Sequence, residues 1–227
     1  MLIRPIVNAF LDITMSKVIL DPHPREIEDI FSSSTKIALS SLHRVIEFDG
    51  EDRLSFYNEH IEDTDFIIGQ PDLDASLIER SKKLKAVFNV EGNFMPNIDY
   101  AACHLKGIRV LTPSSVFAVP VAELAIGMMI SLARGIHTAH GDFLNGKELY
   151  GLEGNTESEL ISGTEIGFIG FGDLGKAIYP LIQGFRPTIR VFDPWLTSSY
   201  LLREGVLPAS IEEVLSKSRF IFVADHL

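Results

Sequence analysis

The chain has 227 residues, of which 46% are hydrophobic and 22% are charged, and its formal net charge is −11. Such a chain can bury a sizeable core, and its acidic balance argues against nucleic acids or anionic membranes as partners, because both need clustered Lys and Arg. The single cysteine, Cys103, excludes an intrachain disulfide, fits a reducing cytoplasm and is expected to be a small buried residue. No metal site is predicted.

Short apolar runs alternate with helical patterns in the first half of the chain. Strands are predicted over residues 17–20, 44–48, 66–68, 86–90 and 108–111, and helices over residues 24–31 and 74–84. Strands separated by helices indicate βαβ units, which build a parallel sheet with right-handed crossovers.

One long helical pattern covers residues 121–137 and precedes a polar, glycine-containing linker over residues 145–162. The most apolar stretch, residues 124–132, lies between Glu123 and Arg134 and is shorter than the roughly 20 residues of a membrane span. A buried core helix is therefore expected, and no membrane partner. The apolar stripe expected to face the core consists of Ala125, Met128, Met129 and Leu132.

From residue 164 onward the chain again alternates strands and helices. Strands are predicted over residues 164–169, 188–192 and 220–223, and helices over residues 174–182 and 210–216.

A glycine-rich turn separates the first strand of this region from its helix. The turn consists of Gly170, Phe171, Gly172, Asp173, Leu174 and Gly175. Gly170 allows a tight turn, Gly172 lets a pyrophosphate approach the backbone, and Gly175 lets the helix pack close to the sheet. The start of the helix then offers free N–H groups and a positive dipole end to the phosphates.

An acid closes the next strand: Asp193 follows Gly175 by 18 positions (193 − 175), where a carboxylate can accept hydrogen bonds from a ribose diol. The same carboxylate would repel the additional phosphate of NADP, and the next residues, Pro194 and Trp195, are not basic. NAD is therefore the predicted cofactor. The alternative is a glycine-rich turn that binds nothing. Asp173 would repel the same phosphates, so its side chain is expected to point to solvent or to cap the helix.

The sequence resembles the D-isomer-specific 2-hydroxyacid dehydrogenases, the group that includes D-3-phosphoglycerate dehydrogenase. The resemblance covers roughly residues 65–227. It is carried by residues 91–99 continuing through 107–110, by Val121-Ala122-Glu123 with Ala133-Arg134, and by the dinucleotide fingerprint ending at residues 191–194. It implies an α/β fold made of a flavodoxin-like substrate domain over residues 1–115 and a Rossmann NAD-binding domain over residues 116–227. Both are doubly wound parallel sheets, and the second is expected to be incomplete.

The resemblance also assigns site residues. NAD would be bound by the turn from Gly170 to Gly175 together with Asp193 and Pro194, and His226 is expected to line the same site. In the family, backbone N–H groups of the loop that matches Glu91, Gly92 and Asn93 bind the substrate carboxylate. This chain has Phe94 and Pro96 where the family usually has Gly and Asp.

The implied activity is NAD-dependent oxidation of the CH–OH group of a D-2-hydroxy acid, or reduction of the 2-oxo acid, by a cytoplasmic homodimer that associates through the helix over residues 121–137. The family's catalytic Arg, acid and His lie beyond the fourth strand of the coenzyme domain, and none of the seven histidines matches. No catalytic residue is assigned, and the chain resembles a C-terminal truncation. By itself it is expected to be inactive and prone to aggregate at an apolar sheet edge. The alternatives are a non-catalytic NAD-binding or interaction module, and another Rossmann enzyme such as a methyltransferase-like protein.

Overall fold

The computed structural model describes residues 15–224, and the chain divides into two compact units, residues 1–113 and 114–227. The boundary predicted between residues 115 and 116 falls in the first turn of the helix that opens the second unit. Each unit has its own sheet and its own hydrophobic core.

The sheet of the first unit consists of five parallel strands. In chain order they are β1 (Lys17–Asp21), β2 (Arg44–Glu47), β3 (Phe66–Gly69), β4 (Ala86–Phe88) and β5 (Arg109–Leu111). Val18 of the central strand β1 lies opposite Val45 on one side and Phe66 on the other. The spatial order β2-β1-β3-β4-β5 is that of flavodoxin-like folds, so the predicted strands and fold class of this half are confirmed.

The helices of the first unit are more numerous than the sequence pattern predicts. They are α1 (Ile27–Ile30), α2 (Ser33–Leu42), α3 (Arg53–His60), α4 (Ala75–Arg80) and α5 (Tyr100–Leu105). The periodicity of apolar residues does not predict α2, α3 and α5, because the starts of these helices are defined by side chains that cap them. The side chains of Ser32, Asp52 and Asp99 each accept a hydrogen bond from an N–H group in the first turn, and α2 has no buried residue at all.

The core of the first unit lies around β1, which is buried along its whole length. Parallel strands covered by helices on both faces show this pattern. Cys103 is 1% exposed, as expected, and burial raises the pKa of its thiol. The largest buried side chains of this core include Ile19, Tyr57, Ile61, Ile67, Leu73 and Ile78.

The second unit opens with two helices, α6 (Ser114–Arg134) and α7 (Ile136–Leu144). The single helix predicted over residues 121–137 is therefore wrong at both ends. The chain breaks at Gly135, whose φ of 62° lies in the left-handed region that glycine adopts without strain. At the other end, α6 continues back through Pro120 to Ser114.

The expectation of a short, buried core helix over residues 124–132 is also wrong. Helix α6 has 21 residues and is long and apolar enough to cross a membrane, although a core helix of a water-exposed domain passes the same test of length and composition. It packs on the helix that follows the glycine-rich turn. Only Met129 of the predicted stripe is fully buried, because α6 turns its small residues inward and leaves its large aliphatic residues outside. The buried small residues are Ala118, Ala122 and Ala133, whereas Leu124, Met128 and Leu132 are 57–63% exposed.

The sheet of the second unit has four parallel strands within the described residues. Its elements are β6 (Glu165–Ile169), α8 (Asp173–Ile182), β7 (Thr188–Phe192), α9 (Ser198–Arg203), β8 (Leu207–Pro208), α10 (Ile211–Lys217) and β9 (Phe220–Val223). The spatial order β8-β7-β6-β9 corresponds to strands 3-2-1-4 of the Rossmann order 3-2-1-4-5-6, which confirms the predicted fold class. The sequence pattern does not predict α9 or β8.

Candidate functional site

The glycine-rich turn connects the central strand β6 to helix α8. Gly170 has a φ of 85°, and its N–H donates a 2.8 Å hydrogen bond to the carbonyl oxygen of Phe192 on β7. A side chain at Gly170 would be strained, because L residues rarely adopt this conformation. The turn therefore leaves the strand in a geometry that requires glycine.

The other two glycines of the turn lie in opposite environments. A Cβ atom built on Gly175 would lie 3.1 Å from Phe171 Cδ2 and 3.2 Å from the carbonyl oxygen of Gly170, so this position is closely packed. A Cβ atom built on Gly172 would meet nothing within 4 Å. The turn thus has one face that packs on the protein and one open face that a large group can approach.

Helix α8 begins at the open face. Gly172 is its N-cap residue and supplies no side-chain hydrogen bond to the first turn. The Asp173 side chain is exposed, and its Oδ2 accepts a 2.6 Å hydrogen bond from the Ser114 hydroxyl, so it points outward and does not cap the helix. Leu174 is half-buried and packs against the core. The N–H groups and the positive dipole end of α8 therefore stay available to an anion.

Asp193 ties the turn to the end of β7. Its Oδ2 accepts a 2.8 Å hydrogen bond from the Phe171 N–H, and its Oδ1 accepts bonds of 2.8 and 3.0 Å from the N–H groups of Trp195 and Leu196. A carboxylate has about four acceptor positions, so about one remains for a ribose hydroxyl. The neighbouring Pro194 is exposed. His226, the remaining residue predicted to bind the cofactor, lies outside the described residues.

The predicted substrate loop follows β4 in the first unit. The N–H of Glu91 donates a 3.4 Å hydrogen bond to the Gln70 side-chain oxygen, and its carboxylate accepts two bonds from Arg25, of 2.8 and 3.1 Å. This ion pair raises the pKa of the Arg25 guanidinium. Within residues 15–224, no protein acceptor takes the N–H groups of Gly92 and Asn93. Two of the three predicted anchors are therefore open, and the third is engaged by a side chain.

A cleft of about 470 Å³ lies beside this loop, at the carboxyl ends of β1, β3 and β4. The lining side chains that bear polar groups are His23, Arg53, Gln70, Asp72, Glu91 and Asn97. Gln70 Nε2 donates a 3.2 Å hydrogen bond to Asn97 Oδ1, and the Asn97 side-chain amide donates to the carbonyl oxygen of Pro71. These bonds fix the loop that carries Gly92.

A buried carboxylate supports the floor of the cleft. Asp21, at the end of β1, is 1% exposed and accepts hydrogen bonds from Arg53 Nη2 at 2.9 Å and from the Tyr57 hydroxyl at 3.0 Å. Burial, reinforced by the negative charge of Asp21, raises the pKa of Tyr57. Arg53 Nε is buried and has no hydrogen-bond partner within the described part of the chain.

Sequence reasoning missed Arg25, Arg53, Gln70 and Asn97. The available signal is position along the chain: Gln70 directly follows β3, and Arg25 lies in the loop that leaves β1. In open parallel sheets these carboxyl ends are where ligands bind. Over residues 15–224, no cluster of three His, Cys, Asp or Glu side chains could hold a metal ion.

Comparison with known proteins finds a family whose model matches part of the second unit. Residues 126–226 match the family described as D-isomer specific 2-hydroxyacid dehydrogenase, NAD binding domain. A hydroxypyruvate reductase of Thermotoga maritima is 33% identical over 156 residues, which are 63% of this chain and 49% of that protein. A D-3-phosphoglycerate dehydrogenase of Methanocaldococcus jannaschii is 29% identical over 72% of this chain and 31% of that protein.

Solved structures of similar proteins share the fold. A phosphoglycerate oxidoreductase from Rhizobium etli is 45% identical with a TM-score of 0.74, over 93% of this chain and 65% of that one. A D-lactate dehydrogenase from Aquifex aeolicus, complexed with NAD and lactic acid, is 20% identical with a TM-score of 0.69, over 92% of this chain and 60% of that one. The chain thus spans between 31% and 65% of the length of these proteins.

Proposed function

Residues 126–226 belong to the NAD-binding domain family of the D-isomer-specific 2-hydroxyacid dehydrogenases, and from this premise we propose that the protein is an NAD-dependent oxidoreductase acting on the CH–OH group of a small D-2-hydroxy acid. NAD supplies the hydride acceptor, or NADH the hydride donor for the reverse reaction. The polypeptide supplies binding, orientation and electrostatics.

The observation that carries the proposal is the open face of the turn at Gly172. A pyrophosphate fits where no atom lies within 4 Å of the missing Cβ, with the uncapped start of α8 directly behind it. Asp193 would receive a ribose hydroxyl at its remaining acceptor position while its other bonds keep Phe171 and the turn in place. A dinucleotide uses all three features, whereas a turn that binds nothing needs none of them.

On the substrate side, the N–H groups of Gly92 and Asn93 would receive the carboxylate of the hydroxy acid. The negative charge of Glu91 lies next to these groups, but the paired guanidinium of Arg25 compensates it. The family's proton-transferring His has no match among the seven histidines of these 227 residues. We expect these 227 residues to bind NAD, and whether they also turn over a hydroxy acid is a separate measurement. A non-catalytic NAD-binding module is the alternative.

The experiment is a titration of the 227-residue chain with NAD and with NADP, followed by amide NMR and calorimetry. NAD is expected to shift the amide signals of residues 170–175, and NADP is expected to bind at least about tenfold more weakly because Asp193 repels its additional phosphate. Asp193→Ala should weaken NAD binding about tenfold and bring the two affinities closer. Unmoved signals at the turn in a folded sample would exclude the cofactor site. Oxidation assays with 2-hydroxy acids separate the dehydrogenase from the binding module.

We also propose a homodimer that associates through the outer face of α6. Leu124, Met128 and Leu132 are more than half exposed on this helix, and exposed apolar patches of this kind mark protein interfaces. Sedimentation of the 25.2 kDa chain at twice its own mass would support the dimer, and sedimentation as a monomer at micromolar concentration would contradict it.

A further inference from the structure

A second cleft of the first unit lies at the amino ends of its strands, on the opposite edge of the sheet from the cleft described above. It encloses about 360 Å³. Strands β1 and β2 contribute their first residues, and the segments before β3 and β4 contribute the others. The lining residues are Met15, Lys17, Arg44, Asp63, Asp65 and Lys83. Because all of them except Met15 carry a charge, a ligand here would be recognised by its charge.

The two acids of this cleft are each bound by a lysine. Asp63 accepts a hydrogen bond from Lys17 Nζ, which lowers the pKa of the Asp63 carboxyl group. Asp65 Oδ1 is paired at 2.8 Å with the ammonium group of Lys85, which does not line the cleft, and Asp65 Oδ2 accepts a 2.9 Å bond from the Lys17 N–H. Burial raises the pKa of Asp65, but these hydrogen bonds outweigh it and the net shift is downward. Both carboxylates are therefore charged at neutral pH, and a lysine compensates each of them.

Lys17 is a buried cation with one hydrogen-bond donor to spare. It is 7% exposed, and its ammonium group donates to Asp63 and, at 2.9 Å, to the carbonyl oxygen of His60. An ammonium group has three donors, so one is left without an acceptor among residues 15–224. A buried charged donor without a partner is costly, and an oxygen atom of a ligand in this cleft would provide that partner.

Two further cations of the cleft have no counter-ion in the described part of the chain. Arg44 and Lys83 are exposed, and neither side chain makes an ion pair or a hydrogen bond there. Once the two acids are matched with their lysines, these two positive charges remain. The cleft is thus locally positive on a chain whose formal net charge is −11.

We propose that this cleft binds a small molecule through a phosphate group. Arg44 can hold two phosphate oxygens with its planar guanidinium, Lys83 adds a second positive charge, and Lys17 offers its free donor. A carboxylate has too few oxygens to engage all three side chains, whereas a tetrahedral phosphate has enough. Inorganic phosphate and phosphate monoesters share this chemistry. The site uses neither the cofactor turn nor the cleft at the carboxyl ends of the strands, so it is independent of the proposed dehydrogenase activity.

The test titrates inorganic phosphate and glycerol 3-phosphate into the 227-residue chain at constant ionic strength. The amide signals of Lys17, Arg44 and Lys83 are followed by NMR, and we expect both ligands to shift them to saturation. Arg44→Gln should weaken binding at least about tenfold, because it removes charge-assisted hydrogen bonds. Lys83→Gln should weaken it about three- to tenfold, since solvent screens this exposed charge. Asp63→Asn removes a negative charge from the wall and should tighten binding at least about threefold.

Arg109→Gln is the matched control, because Arg109 is also exposed and begins a strand at the same edge of the sheet. Its strand β5 lies three strands from β1, or about 14 Å at the usual strand spacing, which exceeds the Debye length of about 8 Å at physiological ionic strength. This variant should bind both ligands like the wild-type chain.

The proposal is overturned if the three signals do not move, or if sodium chloride moves them as far as phosphate does. It is also overturned if Arg109→Gln weakens binding as much as Arg44→Gln, or if phosphate shifts only the amides of residues 170–175, which would place the anion at the cofactor turn. Tighter binding of glycerol 3-phosphate would support the site and identify a phosphate monoester as its ligand. Equal or tighter binding of inorganic phosphate would support the site with free phosphate as the ligand.

Discussion

Each unit has its candidate groups for binding cofactor or substrate at the carboxyl edge of its own parallel sheet, but these groups are backbone atoms in one unit and side chains in the other. In the second unit the receptor is backbone: N–H groups at the start of α8 and an open glycine at position 172. In the first unit the cleft is lined by side chains, among them Arg53, which is paired with the buried Asp21, and Glu91, which is paired with Arg25. We expect the first arrangement to bind a diphosphate through backbone N–H groups and the second to contact its ligand through side chains.

This difference follows from how each ligand must be recognised. A cofactor common to many enzymes needs a receptor that depends on backbone geometry, and backbone N–H groups cannot be changed by most substitutions. A substrate has to be told apart from similar acids, and side chains that bond to it or repel it provide that selectivity. A glycine can be required by the packing of the fold or by the approach of a ligand, and substitutions distinguish the two cases.

The largest effect is expected at Gly69, at the end of β3. A Cβ atom there would overlap the carbonyl oxygen of Asp21 in the adjacent strand β1, so the strands would have to move apart. We expect Gly69→Ala to destabilise the first unit by about 3 kcal/mol. Hydrogen exchange of β1 and β3 amides, compared with β6 and β7 amides, measures the effect on each unit. Gly50→Ala is the control, because its Cβ would lie 3.6 Å from Phe48. Equal loss of protection in both units would contradict the assignment.

Gly172 presents the opposite case, a glycine required by the ligand and not by the fold. Gly172→Val places a side chain in open space, so the unfolding free energy should fall by at most about 1 kcal/mol, the cost of a poor N-cap residue. The same side chain blocks the pyrophosphate, and we expect NAD affinity to fall at least about 100-fold, or about 2.7 kcal/mol. Calorimetry with NAD measures it. Gly184→Val, equally open at the far end of α8, should bind NAD normally; tight binding by Gly172→Val would falsify the site.

The same contrast explains what the sequence could predict. The turn from Gly170 to Gly175 is contiguous, and Asp193 follows at a fixed offset, so the cofactor site can be inferred from the sequence alone. The pair of Arg25 and Glu91 joins residues 66 positions apart, and only the sheet order brings them together.

Exposure is likewise set by tertiary packing. Helix α6 contains both small and large apolar residues, and the sequence cannot tell which side faces the core. The structure buries Ala122 and exposes Leu124, because small residues allow α6 and α8 to approach closely.

The smallest effect is expected from the other partner of the ion pair. Arg25→Gln leaves the Glu91 charge uncompensated beside the N–H groups of Gly92 and Asn93, so every carboxylate should bind more weakly. Arg25 and Glu91 are 34% and 31% exposed, and solvent screens the repulsion, so we expect D-glycerate to lose only about three- to tenfold in affinity.

Two further variants determine whether this loss comes from the charge of Glu91. Combining Arg25→Gln with Glu91→Gln removes the repulsion and should restore D-glycerate affinity to within about twofold of the wild-type chain. Lys36→Gln breaks a comparably exposed ion pair with Glu47 in the same unit and should have no effect. If the double variant binds D-glycerate as weakly as Arg25→Gln alone, the loss comes from a direct contact between Arg25 and the acid and not from repulsion by Glu91. The first unit would then bind an anion through direct contact with Arg25, just as the second unit is expected to bind one through its backbone N–H groups.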